Sequence, residues 1–533
     1  MRKNVTRGFL AIFALVLLAG AAFAQTSGSG TITGTLTDPS GAVVPGAAVS
    51  IRDTDTGIER KTATNEAGIY NSTFLKPGHY EVSVTKSGFA KVVRTDLTLQ
   101  VGQILTVDFQ APIQSTESTV TVAGATSVVD TEKTDVSQVV STAAAENLPI
   151  AGRRWETFSL LTPNVVADGG TGLAAYRGIS GLYNQSSVDG ANNSQAFFSE
   201  TKGRTVTGVP YVYSLDSIQE FAVSVSNYSA ELGQAAGGIV NAVTKSGSNG
   251  LHGDLFYYLR YPTLNALDPI QKATGNYTQP IHQQQQFGGS VGGPVIKDRL
   301  FYFFTYDGSR KVNPISYVSS STFPQACVAA IPAAQCAAAN TYAKSILGAY
   351  PRFANQDIGF GKLDYQFNSK NHLSASFDLD DFHAPNSYTS STTASNSSLT
   401  ANGTNVIHER IFVANWDSTI SSSMVNSLRF QWSRDDEVTI ANGAAPSVGV
   451  TNILGYGLPN ALPRPAFPDE HRLQFNDVLS WSRGRHTIKA GVDVNSIHEL
   501  LINLFQGGGV YTYSGTAAFN NWAADVKACA LVA

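Results

Sequence analysis

Carboxylates placed close together are the first residues in this sequence whose type and spacing could carry out chemistry. The nearest pairs are Asp53 with Asp55 and Asp380 with Asp381. An enzyme that cleaves glycosidic bonds needs two such acids facing each other across a substrate cleft. We interpret both pairs as turn or loop acids, so they do not support a glycan-cleaving enzyme.

Histidines beside glutamates are the second candidates. His408-Glu409 and His498-Glu499 begin like the zinc-binding sequence H-E-x-x-H, but the second histidine is missing from both. His79 has no glutamate or histidine at zinc-site spacing. The sequence has no nucleophile elbow and no Walker loop. We therefore predict no catalytic residue, no metal site, no bound cofactor and no enzymatic activity, and we expect the two His-Glu steps to be polar residues on strands.

The composition is that of a β-rich protein. Charged residues make up 14% and aromatic residues 10%, and there are 48 glycines and 21 tyrosines. Soluble domains typically carry about 25% charged residues. The net charge of -4 argues against a nucleic-acid partner, which would require a basic surface. At 533 residues the chain is long enough for about two to four structural units.

The first 24 residues have the three parts of a secretory signal. Basic residues at the start precede an apolar core at 9–18, and a small-residue site ends at Ala24. We expect cleavage between Ala24 and Gln25, with an uncleaved membrane anchor as the alternative. After this segment no apolar run approaches the roughly 20 residues that a spanning helix needs. A mature protein that crosses a membrane would therefore do so with strands.

Three cysteines are present, at Cys327, Cys336 and Cys529. Cys327 and Cys336 lie close together in an alanine-rich insert and could close a small loop after export to an oxidising compartment. Metal ligation is less favoured because no matching histidine or second cysteine pair is nearby. Cys529 is left over.

Residues 31–110 predict a compact β-sandwich, because short strand-like runs alternate with turn signals. The pattern G-x-L-x-D-x-x-G, followed by P-G-A, T-x-x-x-G-x-Y and L-x-P-G-x-Y-x-V, resembles the carboxypeptidase regulatory-like domain, whose fold is similar to carbohydrate-binding and transthyretin-like sandwiches. The residues that carry the match are Asp38, Gly41, Pro45, Gly46, Asn65, Gly68, Tyr70, Pro77, Gly78 and Tyr80. We expect turn formation and packing from them, with direct ligand contact as the alternative.

The stretch from Ser217 to Tyr261 separates these small β pieces from a series of long alternating strands. Phe221, Val223 and Val225 alternate with small or polar residues and predict a half-buried strand. The glycine-rich runs that follow predict tight turns or backbone crossings. The succession I-x-E-F, G-x-x-x-G-G and V-T-K-S-G-x-N-x-x-H-G resembles the end of the plug and the first barrel strand of TonB-dependent outer-membrane transporters.

This resemblance implies that residues 126–250 form a plug domain, and that R-G and V-D-G steps within them belong to the same pattern. The residues that match the plug motifs are Arg177, Gly178, Asp189, Gly190, Gly237, Gly238, Thr244, Lys245 and Gly247. Arg153, Arg154 and Arg177 could bridge the plug to the barrel wall through carboxylates, since a guanidinium suits that geometry. They could equally be solvated surface arginines.

Residues 111–125 predict a linker with a short extended centre. Its residues Thr119, Val120, Thr121 and Val122 resemble the TonB box of the same family. Such a box pairs with the periplasmic energy transducer by strand addition, in which main-chain hydrogen bonds provide the affinity. The alternative is that these residues form the last strand of the preceding sandwich.

Residues 251–533 alternate between apolar and polar side chains in segments of about ten residues, the pattern of a membrane β-barrel. In the first segment, Leu255 and Tyr257 share one face while His252 and Asp254 share the other. A lipid-exposed barrel directs the apolar set outward, whereas a soluble sandwich would give the same alternation with reversed directions. The signal segment and the plug motifs favour the barrel.

Long polar or alanine-rich stretches at 310–354, 381–404 and 436–468 are predicted to be extracellular loops, and 368–371 a short periplasmic turn. We count about nine or ten strands of this kind. The family's barrel has about 22 strands and surrounds a plug. An open barrel edge in lipid would leave main-chain groups unpaired. We therefore expect this chain to be an N-terminal fragment, with a closed ten-strand barrel as the alternative.

The fold class predicted from the sequence is mainly β, with a sandwich, a plug and the first part of a transmembrane antiparallel barrel. The resemblance implies TonB-dependent uptake of a siderophore, an oligosaccharide or a peptide across the outer membrane. Its implied partners are TonB with its inner-membrane motor, outer-membrane lipid and the substrate, and its sandwich would be periplasmic. A surface carbohydrate-binding or adhesion protein is the alternative function.

Overall fold

The computed structural model describes residues 28–113, 119–123, 135–148, 153–168, 173–197, 212–229, 231–264, 283–312, 315–317, 321–346, 348–387, 394–395, 397–444, 446–459 and 462–529. The predicted cleavage site at Ala24 and Gln25 lies outside the described residues. Three β-rich units follow one another along the chain. We call them the sandwich (residues 30–123), the plug segment (residues 135–250) and the wall (residues 252–502).

The sandwich contains two sheets that pack face to face around an apolar core. Its strands are β1 Gly30–Thr37, β2 Ala48–Asp53, β3 Glu59–Ala63, β4 Ile69–Leu75, β5 Gly78–Thr85, β6 Lys91–Leu99, β7 Ile104–Thr106, β8 Phe109–Gln110 and β9 Thr119–Ala123. One sheet has the order β4-β1-β7, with β8 also beside β1, and the other has the order β3-β2-β5-β6-β9. Most pairs are antiparallel, but β7 and β8 run parallel to β1, and β9 runs parallel to β6.

The turn residues of the sandwich act as the sequence predicts. Asp38 Oδ1 accepts hydrogen bonds from the main-chain N of Ser40 at 2.8 Å and of Ala42 at 2.9 Å. The Ser40 hydroxyl also donates to this carboxylate, and these bonds lower the pKa of Asp38. Asn65 Oδ1 closes the next turn by accepting from the N of Ile69 at 3.1 Å. These side chains replace main-chain partners where the chain reverses.

The plug segment is built on a five-stranded sheet with the order β10-β15-β16-β13-β14, beside the hairpin β11-β12. Its strands are β10 Val136–Val140, β11 Val165–Asp168, β12 Leu173–Tyr176, β13 Gln185–Val188, β14 Ala191–Asn192, β15 Ile218–Ser226 and β16 Ile239–Thr244, with helix α1 at Thr142–Asn147. Short 3-10 turns lie at Trp155–Leu161, Gly181–Tyr183 and Leu215–Ser217.

The prediction that the strand containing Phe221 is half-buried was wrong, because β15 packs on both sides. Phe221 and Val223 belong to the main apolar cluster of the plug segment, where Trp155 meets Phe221 edge to face with ring centroids 5.2 Å apart. On the other face, Ala222 packs with Val101 of the sandwich. A second domain therefore covers the face that a half-buried strand would leave to water.

The wall is a nine-stranded antiparallel sheet in which, within the described residues, each strand pairs with the next wall strand along the chain. Its strands are β17 His252–Arg260, β18 Gln283–Ile296, β19 Leu300–Val312, β22 Phe353–Asn368, β23 Asn371–Ala384, β25 Gly403–Ser421, β26 Met424–Ala441, β29 Ala466–Arg483 and β30 His486–Ile502. At one end, the strands are joined by turns of two or three residues, including the predicted turn between Asn368 and Asn371. We call this the short-turn end.

The opposite end carries long connections with structure of their own. They contain β20 Ile315–Tyr317, β21 Gly348–Tyr350, β24 Ala394–Ser395, β27 Ser447–Val450, β28 Leu454–Tyr456, β31 Val510–Tyr513, helix α2 Ala333–Ser345 and helix α3 Ala518–Cys529. The predicted loop boundaries cut into the wall, because several wall strands extend beyond them. The strand ends were mistaken for loops since their inner faces are polar. Cys327 and Cys336 form a disulfide here.

The direction of the alternation in the wall is that of a membrane barrel. Leu363 and Phe377 point away from the plug segment and remain 47% and 40% exposed, whereas Lys362 and Asp364 point toward it and are 4% and 3% exposed. Apolar side chains therefore face outward and polar ones inward, which excludes the soluble-sandwich alternative for these strands. No helix in the described part of the chain is long and apolar enough to cross a membrane.

The wall curves around the plug segment. At one edge, Arg153 of the plug segment donates to the hydroxyl of Tyr258 on β17 at 2.9 Å. At the other edge, Lys489 on β30 donates to both oxygens of Glu231 of the plug segment at 2.9 and 3.0 Å. A single small unit can reach both edges of a nine-stranded sheet only if the sheet is concave. The concave face encloses a lumen that the plug segment occupies.

Candidate functional site: the plug–wall contact

The hairpin between β13 and β14 is the tip by which the plug segment enters the wall. Asp189 and Gly190 at its turn have φ values of 49° and 76°, consecutive left-handed residues of the kind that tight hairpins require. Asp189 Oδ1 accepts from the main-chain N of Thr244 at 2.9 Å, and Oδ2 accepts from the Thr244 hydroxyl at 2.6 Å. Three predicted plug-motif residues are thus brought together at one point.

A wall lysine meets this tip. Lys362 Nζ lies 3.0 Å from Asp189 Oδ2 and 2.8 Å from Thr244 Oγ1. The side chains of Lys362 and Asp189 are 4% and 8% exposed. A buried ion pair contributes little net stability as a pair, but removal of one partner leaves the other charge buried and uncompensated. The contact therefore favours one docked position of the plug segment over displaced ones.

The wall also binds the main chain that follows the tip. Arg429 donates to the carbonyl of Gly190 at 3.2 Å, and Gln431 donates to the carbonyl of Asn192 at 2.9 Å. Arg472 donates to the carbonyl of Ser194 at 2.7 Å. Side chains of β26 and β29 thus satisfy alternate carbonyls of an extended plug strand. Water can replace such bonds one by one if the strand moves.

Among the described residues, the predicted plug arginines form no ion pair with a wall carboxylate. Arg153 forms a bidentate pair with Asp216 inside the plug segment at 2.9 Å, and its guanidinium stacks on Phe256 and Tyr258 of β17 at 4.5 and 4.7 Å. Burial raises the pKa of Asp216, and the Arg153 charge opposes that rise. Arg153 therefore does contact the wall, but through aromatic rings.

The other two arginines have contacts inside the plug segment. Arg154 lies 3.3 Å from the carboxylate of Glu156, and Arg177 donates to the carbonyl of Gly237 at 3.0 Å. The ion pair at the tip, Asp189 with Lys362, therefore has its charges the other way round from the predicted pairs of plug arginines with wall carboxylates. The plug segment supplies the acid, Asp189, and the wall supplies the base.

Two of the predicted glycines are required by close approaches. A Cβ on Gly238 would lie 2.6 Å from the ring of Tyr176, and a Cβ on Gly247 would lie 2.3 Å from the carbonyl oxygen of Tyr302 on β19. The remaining motif residues have local roles: Gly178 adopts a φ of 77°, and the N of Lys245 donates to Ser217. Gly247 therefore lets the chain pass from the plug segment into the wall, as the sequence predicted.

The sandwich docks onto the short-turn end of the wall. Thr62 Oγ1 donates to the carbonyl of Ser422 at 2.9 Å, and Asn65 Nδ2 donates to the carbonyl of Gly484 at 2.7 Å. Asn71 Nδ2 donates to both Ser482 and Thr487 on neighbouring wall strands, at 3.0 and 2.8 Å. These contacts reach two of the short turns and the strand ends beside them.

The hairpin between β4 and β5 extends from the sandwich into the wall. Lys76 forms an ion pair with Asp364, whose side chain is 4% exposed. Phe74 has a φ of 56° and packs against Val425 and Val478 on the inner face of the wall. Left-handed backbone is unfavourable for a phenylalanine, so surrounding contacts must hold it there. Beside the hairpin lies a cavity of about 310 Å³, which is lined by sandwich, plug and wall residues.

Glu220 joins the sandwich to the plug segment. Its carboxylate accepts a hydrogen bond from the main-chain N of Val101. Burial raises the pKa of Glu220 to about 7, while the Val101 bond acts in the opposite direction. In the docked state the acid is therefore about half protonated at neutral pH.

The strand predicted to be a TonB box lies on the sandwich. Residues Thr119–Ala123 form β9, which pairs in parallel with Lys91–Thr95 of β6 at the end of the five-stranded sheet. The sequence left two alternatives open, a box or a last sandwich strand. In the structure the segment is the last strand of the sandwich sheet. It can still act as a box, because an edge strand has unpaired main-chain groups on one side that can pair with another chain.

The acid pairs Asp53–Asp55 and Asp380–Asp381 have other roles in the structure. Asp53 Oδ1 accepts from the main-chain N of Asp55 at 2.9 Å, as predicted for a turn acid. Asp380 and Asp381 lie within β23, so their prediction as loop acids was wrong. Neighbouring residues on a strand point to opposite faces, and accordingly Asp380 is fully buried in the lumen while Asp381 is bonded to Arg410 at 2.7 Å.

No group of three or more histidine, cysteine or acidic side chains within the described ranges has the arrangement of a metal site. His372 does lie near Asp364 and Asp417, at 3.6 and 4.0 Å, under the hairpin that carries Lys76. Sequence reasoning missed this cluster and the Asp189–Lys362 pair. Their members are up to 173 residues apart along the chain, so no local pattern links them.

Comparison with known proteins gives two family matches. The model of the outer membrane beta barrel domain matches residues 243–327 and 318–530, and that of the carboxypeptidase regulatory-like domain matches residues 31–112. Over 301 residues the chain is 27% identical to the TonB-dependent transporter Oar of Myxococcus xanthus, an alignment that covers 54% of this chain and 27% of that protein.

Two solved structures align with part of the chain. The outer membrane transporter YddB from Escherichia coli aligns with a TM-score of 0.49 at 12% identity, over 68% of this chain and 48% of that one. The siderophore receptor PirA from Acinetobacter baumannii aligns with a TM-score of 0.47 at 15% identity, also over 68% and 48%. The chain thus spans 27% of the curated relative and about half of each solved structure.

Proposed function

The chain belongs to the outer membrane beta barrel domain family, and we propose that it acts in TonB-dependent uptake of a scarce nutrient across the outer membrane. The candidate substrate classes are siderophores, oligosaccharides and peptides. The wall would surround the passage and the plug segment would close it at rest. The observation that carries this proposal is the buried tip at Asp189 and Gly190, which the inner-face wall side chains Lys362 and Arg429 contact.

The orientation follows from the lengths of the connections. Outer-membrane barrels have short periplasmic turns and longer extracellular loops. The short-turn end would then face the periplasm, and the sandwich docked on it through Thr62, Asn65 and Asn71 would be periplasmic. The predicted signal segment before the sandwich is consistent with export to that compartment.

The position of β9 provides a route for energy to reach the plug segment. The next described strand along the chain is β10, which lies at the end of the plug sheet, where its one partner among the described strands is β15. A pull on Thr119–Ala123 by TonB and its inner-membrane motor would first separate β9 from β6. The force would then be transmitted along the chain to β10. An end strand has one partner to lose, so it would peel away before the strands inside the sheet.

Binding of the transducer tests this proposal directly. The full-length protein would be titrated with the purified periplasmic domain of TonB, and uptake would be followed in cells. Val120→Pro with Val122→Pro removes two main-chain donors from the pairing strand, so binding and uptake should both be lost. The control Val120→Ile with Val122→Ile keeps every main-chain group and should bind normally, since strand addition depends on the backbone.

Surface display and heat-modifiable gel mobility would show that the proline variant still assembles. Equal transducer binding by the proline and isoleucine variants would contradict the assignment of residues 119–122 as the pairing segment. Absence of binding by the unaltered protein would contradict TonB dependence itself.

A further inference from the structure

Acidic side chains form a row across the inner face of the wall. Register pairs connect position 307 to 358, 358 to 380, 380 to 409, 409 to 435, 435 to 470 and 470 to 499. All of these positions except Ile358 are acidic. We call the six carboxylates the acidic row: Asp307, Asp380, Glu409, Asp435, Glu470 and Glu499.

Placing these carboxylates side by side on neighbouring strands destabilises the wall. Adjacent strands lie about 4.7–4.9 Å apart, and like charges placed directly opposite each other are destabilising. Asp380, Glu409, Asp435 and Glu470 are 0% exposed, and Asp307 is 1% exposed. Burial removes the water that would screen them. The wall compensates part of the row itself: Gln286 donates to both oxygens of Asp307 at 3.0 and 3.1 Å, Gln356 donates to Asp380 at 3.1 Å, and Arg472 pairs with Glu470 at 3.1 Å. Further positive or hydrogen-bonding groups from another part of the molecule or from a ligand would stabilise the row.

The plug segment supplies some of these groups at rest. Ser214 Oγ donates to Asp307 at 2.9 Å, and the main-chain N of Ala196 donates to Glu470 at 2.8 Å. Both donors would leave if the plug segment moved. The same displacement that opens the lumen would thus expose acidic-row carboxylates to whatever passes through it.

Asp378 shows that the inner face of the wall, which we call the lining, has carboxylate oxygens available as hydrogen-bond acceptors even while the plug segment occupies the lumen. It lies on the same inner face of β23 as Asp380, two residues before it, and is 1% exposed. Within the described residues, neither of its carboxylate oxygens has a hydrogen-bond partner, and neither does Oδ2 of Asp380. A buried carboxylate with two unbonded oxygens is unfavourable, so this point on the wall fits a cationic group that arrives from elsewhere.

We propose that the acidic row and Asp378 bind positively charged cargo, specifically an organic polycation such as a linear polyamine or a lysine-rich peptide. The proposal rests on the uptake function above and names the substrate class for it. Ammonium groups separated by three or four methylenes match carboxylates spaced at the interstrand distance of about 4.8 Å. A metal ion fits less well, because the described residues contain no cluster with metal-binding geometry.

Uptake of labelled spermidine and of labelled tri-lysine by cells that express the full-length protein tests the substrate class. Both should accumulate faster than in cells lacking the protein, and tri-glutamate should not. In the variant Asp378→Asn with Asp380→Asn, we expect uptake of the cationic probes to fall about tenfold, which corresponds to about 1.4 kcal/mol.

The matched control is Asp381→Asn. Asp381 adjoins Asp380 on the same strand but is bonded to Arg410 and is not part of the lumen lining, so uptake should stay within about twofold of the unaltered protein, since it lacks contact with the cargo. Surface display and heat-modifiable mobility of all variants would exclude a folding defect. An equal loss of uptake in the Asp381 and the Asp378/Asp380 variants would overturn the role of the lining.

Failure of this inference is distinguishable from failure of the uptake proposal. Suppose that neither cationic probe is taken up, while the unaltered protein binds TonB and the proline variant does not. The substrate class is then wrong and the uptake function stands. If the cationic probes enter at the same rate with and without the residue 119–122 prolines, the lining binds cations but the entry is not TonB-dependent.

Discussion

The sandwich and the plug segment are both small β units, but they are stabilised in different ways. The sandwich has an apolar cluster made entirely of its own residues, with Ile32, Leu36 and Val82 at 0% exposure. The main cluster of the plug segment also includes Phe303, Phe360 and other wall residues. The sandwich thus completes its core within its own strands, whereas the plug segment borrows part of its core from the wall.

The polar groups show the same contrast. In the sandwich, the buried hydroxyl of Tyr70 donates to the carbonyl of Val107 in the same unit at 2.6 Å. In the plug segment, Asp189 and the carbonyls that follow it are bonded to the wall. A unit whose polar groups are completed by another surface can leave that surface only if water or cargo replaces those bonds. This is the property that a movable plug requires.

The largest expected effect comes from breaking the plug–wall ion pair. Asp189→Asn leaves Lys362 buried without its counter-charge. We expect the free energy of opening of the plug segment, measured by hydrogen exchange, to fall by about 3–5 kcal/mol. Hydrogen exchange of amides in β13 to β16 of the full-length protein measures this. Asp38→Asn, the same change at an exposed sandwich turn, should stay within about 0.5 kcal/mol.

Restoring neutrality sharpens this test. Asp189→Asn combined with Lys362→Met removes both charges, and most of the lost protection should return, because an apolar replacement of a buried pair is often tolerated. No recovery in the double variant would show that Asp189 acts through Thr244 alone.

The next effect concerns the sandwich core. Leu36→Ala removes a fully buried side chain, and we expect a loss of about 2–4 kcal/mol from the lost burial and the cavity left behind. Differential exchange should confine that loss to amides of β1 to β8, with β13 to β16 unaffected. Equal loosening of the plug segment would contradict the independence of the two units.

The alternation of side chains made much of the fold predictable. Leu255 and Tyr257 were assigned to one face of the first wall strand, and they are 92% and 60% exposed on its outer side. The V-D-G and R-G steps, which were assigned to the plug pattern, lie at turns of the plug segment. Local patterns were informative here because strand periodicity and turn chemistry are properties of neighbouring residues.

The contacts between units were not predictable in the same way. The Asp189–Lys362 pair depends on how the plug segment sits in the lumen, and the acidic row depends on the register of seven successive strands. Glu409 illustrates the limit: it was considered as part of a broken zinc motif, yet its importance comes from lying beside Asp380 and Asp435 on other strands. Sequence spacing carries no information about such lateral neighbours.

A smaller, pH-dependent effect is expected where the two units meet at Glu220. Its pKa is about 7 when docked and 4.5 as an ordinary glutamate. Below about pH 4.5 both states are protonated, so docking is unaffected. As the pH rises from there to about 7, the undocked state loses its proton first, and docking should weaken by about 1–3 kcal/mol. Exchange of the Val101 amide between pH 4.5 and 7.5 measures this.

The control for the pH effect is Glu220→Gln. The amide oxygen can still accept from Val101, but the side chain no longer titrates, so the pH dependence of docking should disappear. A titration that is the same in both proteins would assign the effect to another group.

The smallest effect separates the two kinds of contact within one side chain. Asn65 Oδ1 closes a sandwich turn by accepting from the main-chain N of Ala67 and Ile69, while its Nδ2 donates to Gly484 of the wall at 2.7 Å. Asn65→Asp keeps the acceptors and removes the donor. We expect docking to weaken by about 1 kcal/mol while the melting temperature of the sandwich is unchanged.

Asn65→Ala removes both functions and should lower the stability of the sandwich as well as its docking. Exchange of amides at the Gly484 turn would report docking, and exchange of β2 and β5 amides would report the sandwich itself. The aspartate variant retains the turn acceptors that the alanine variant lacks, so the difference between them reports the internal contribution. If the aspartate variant destabilised β2 and β5 as much as alanine does, the sandwich would depend on the wall for its own stability, and the contrast with the plug segment would not hold.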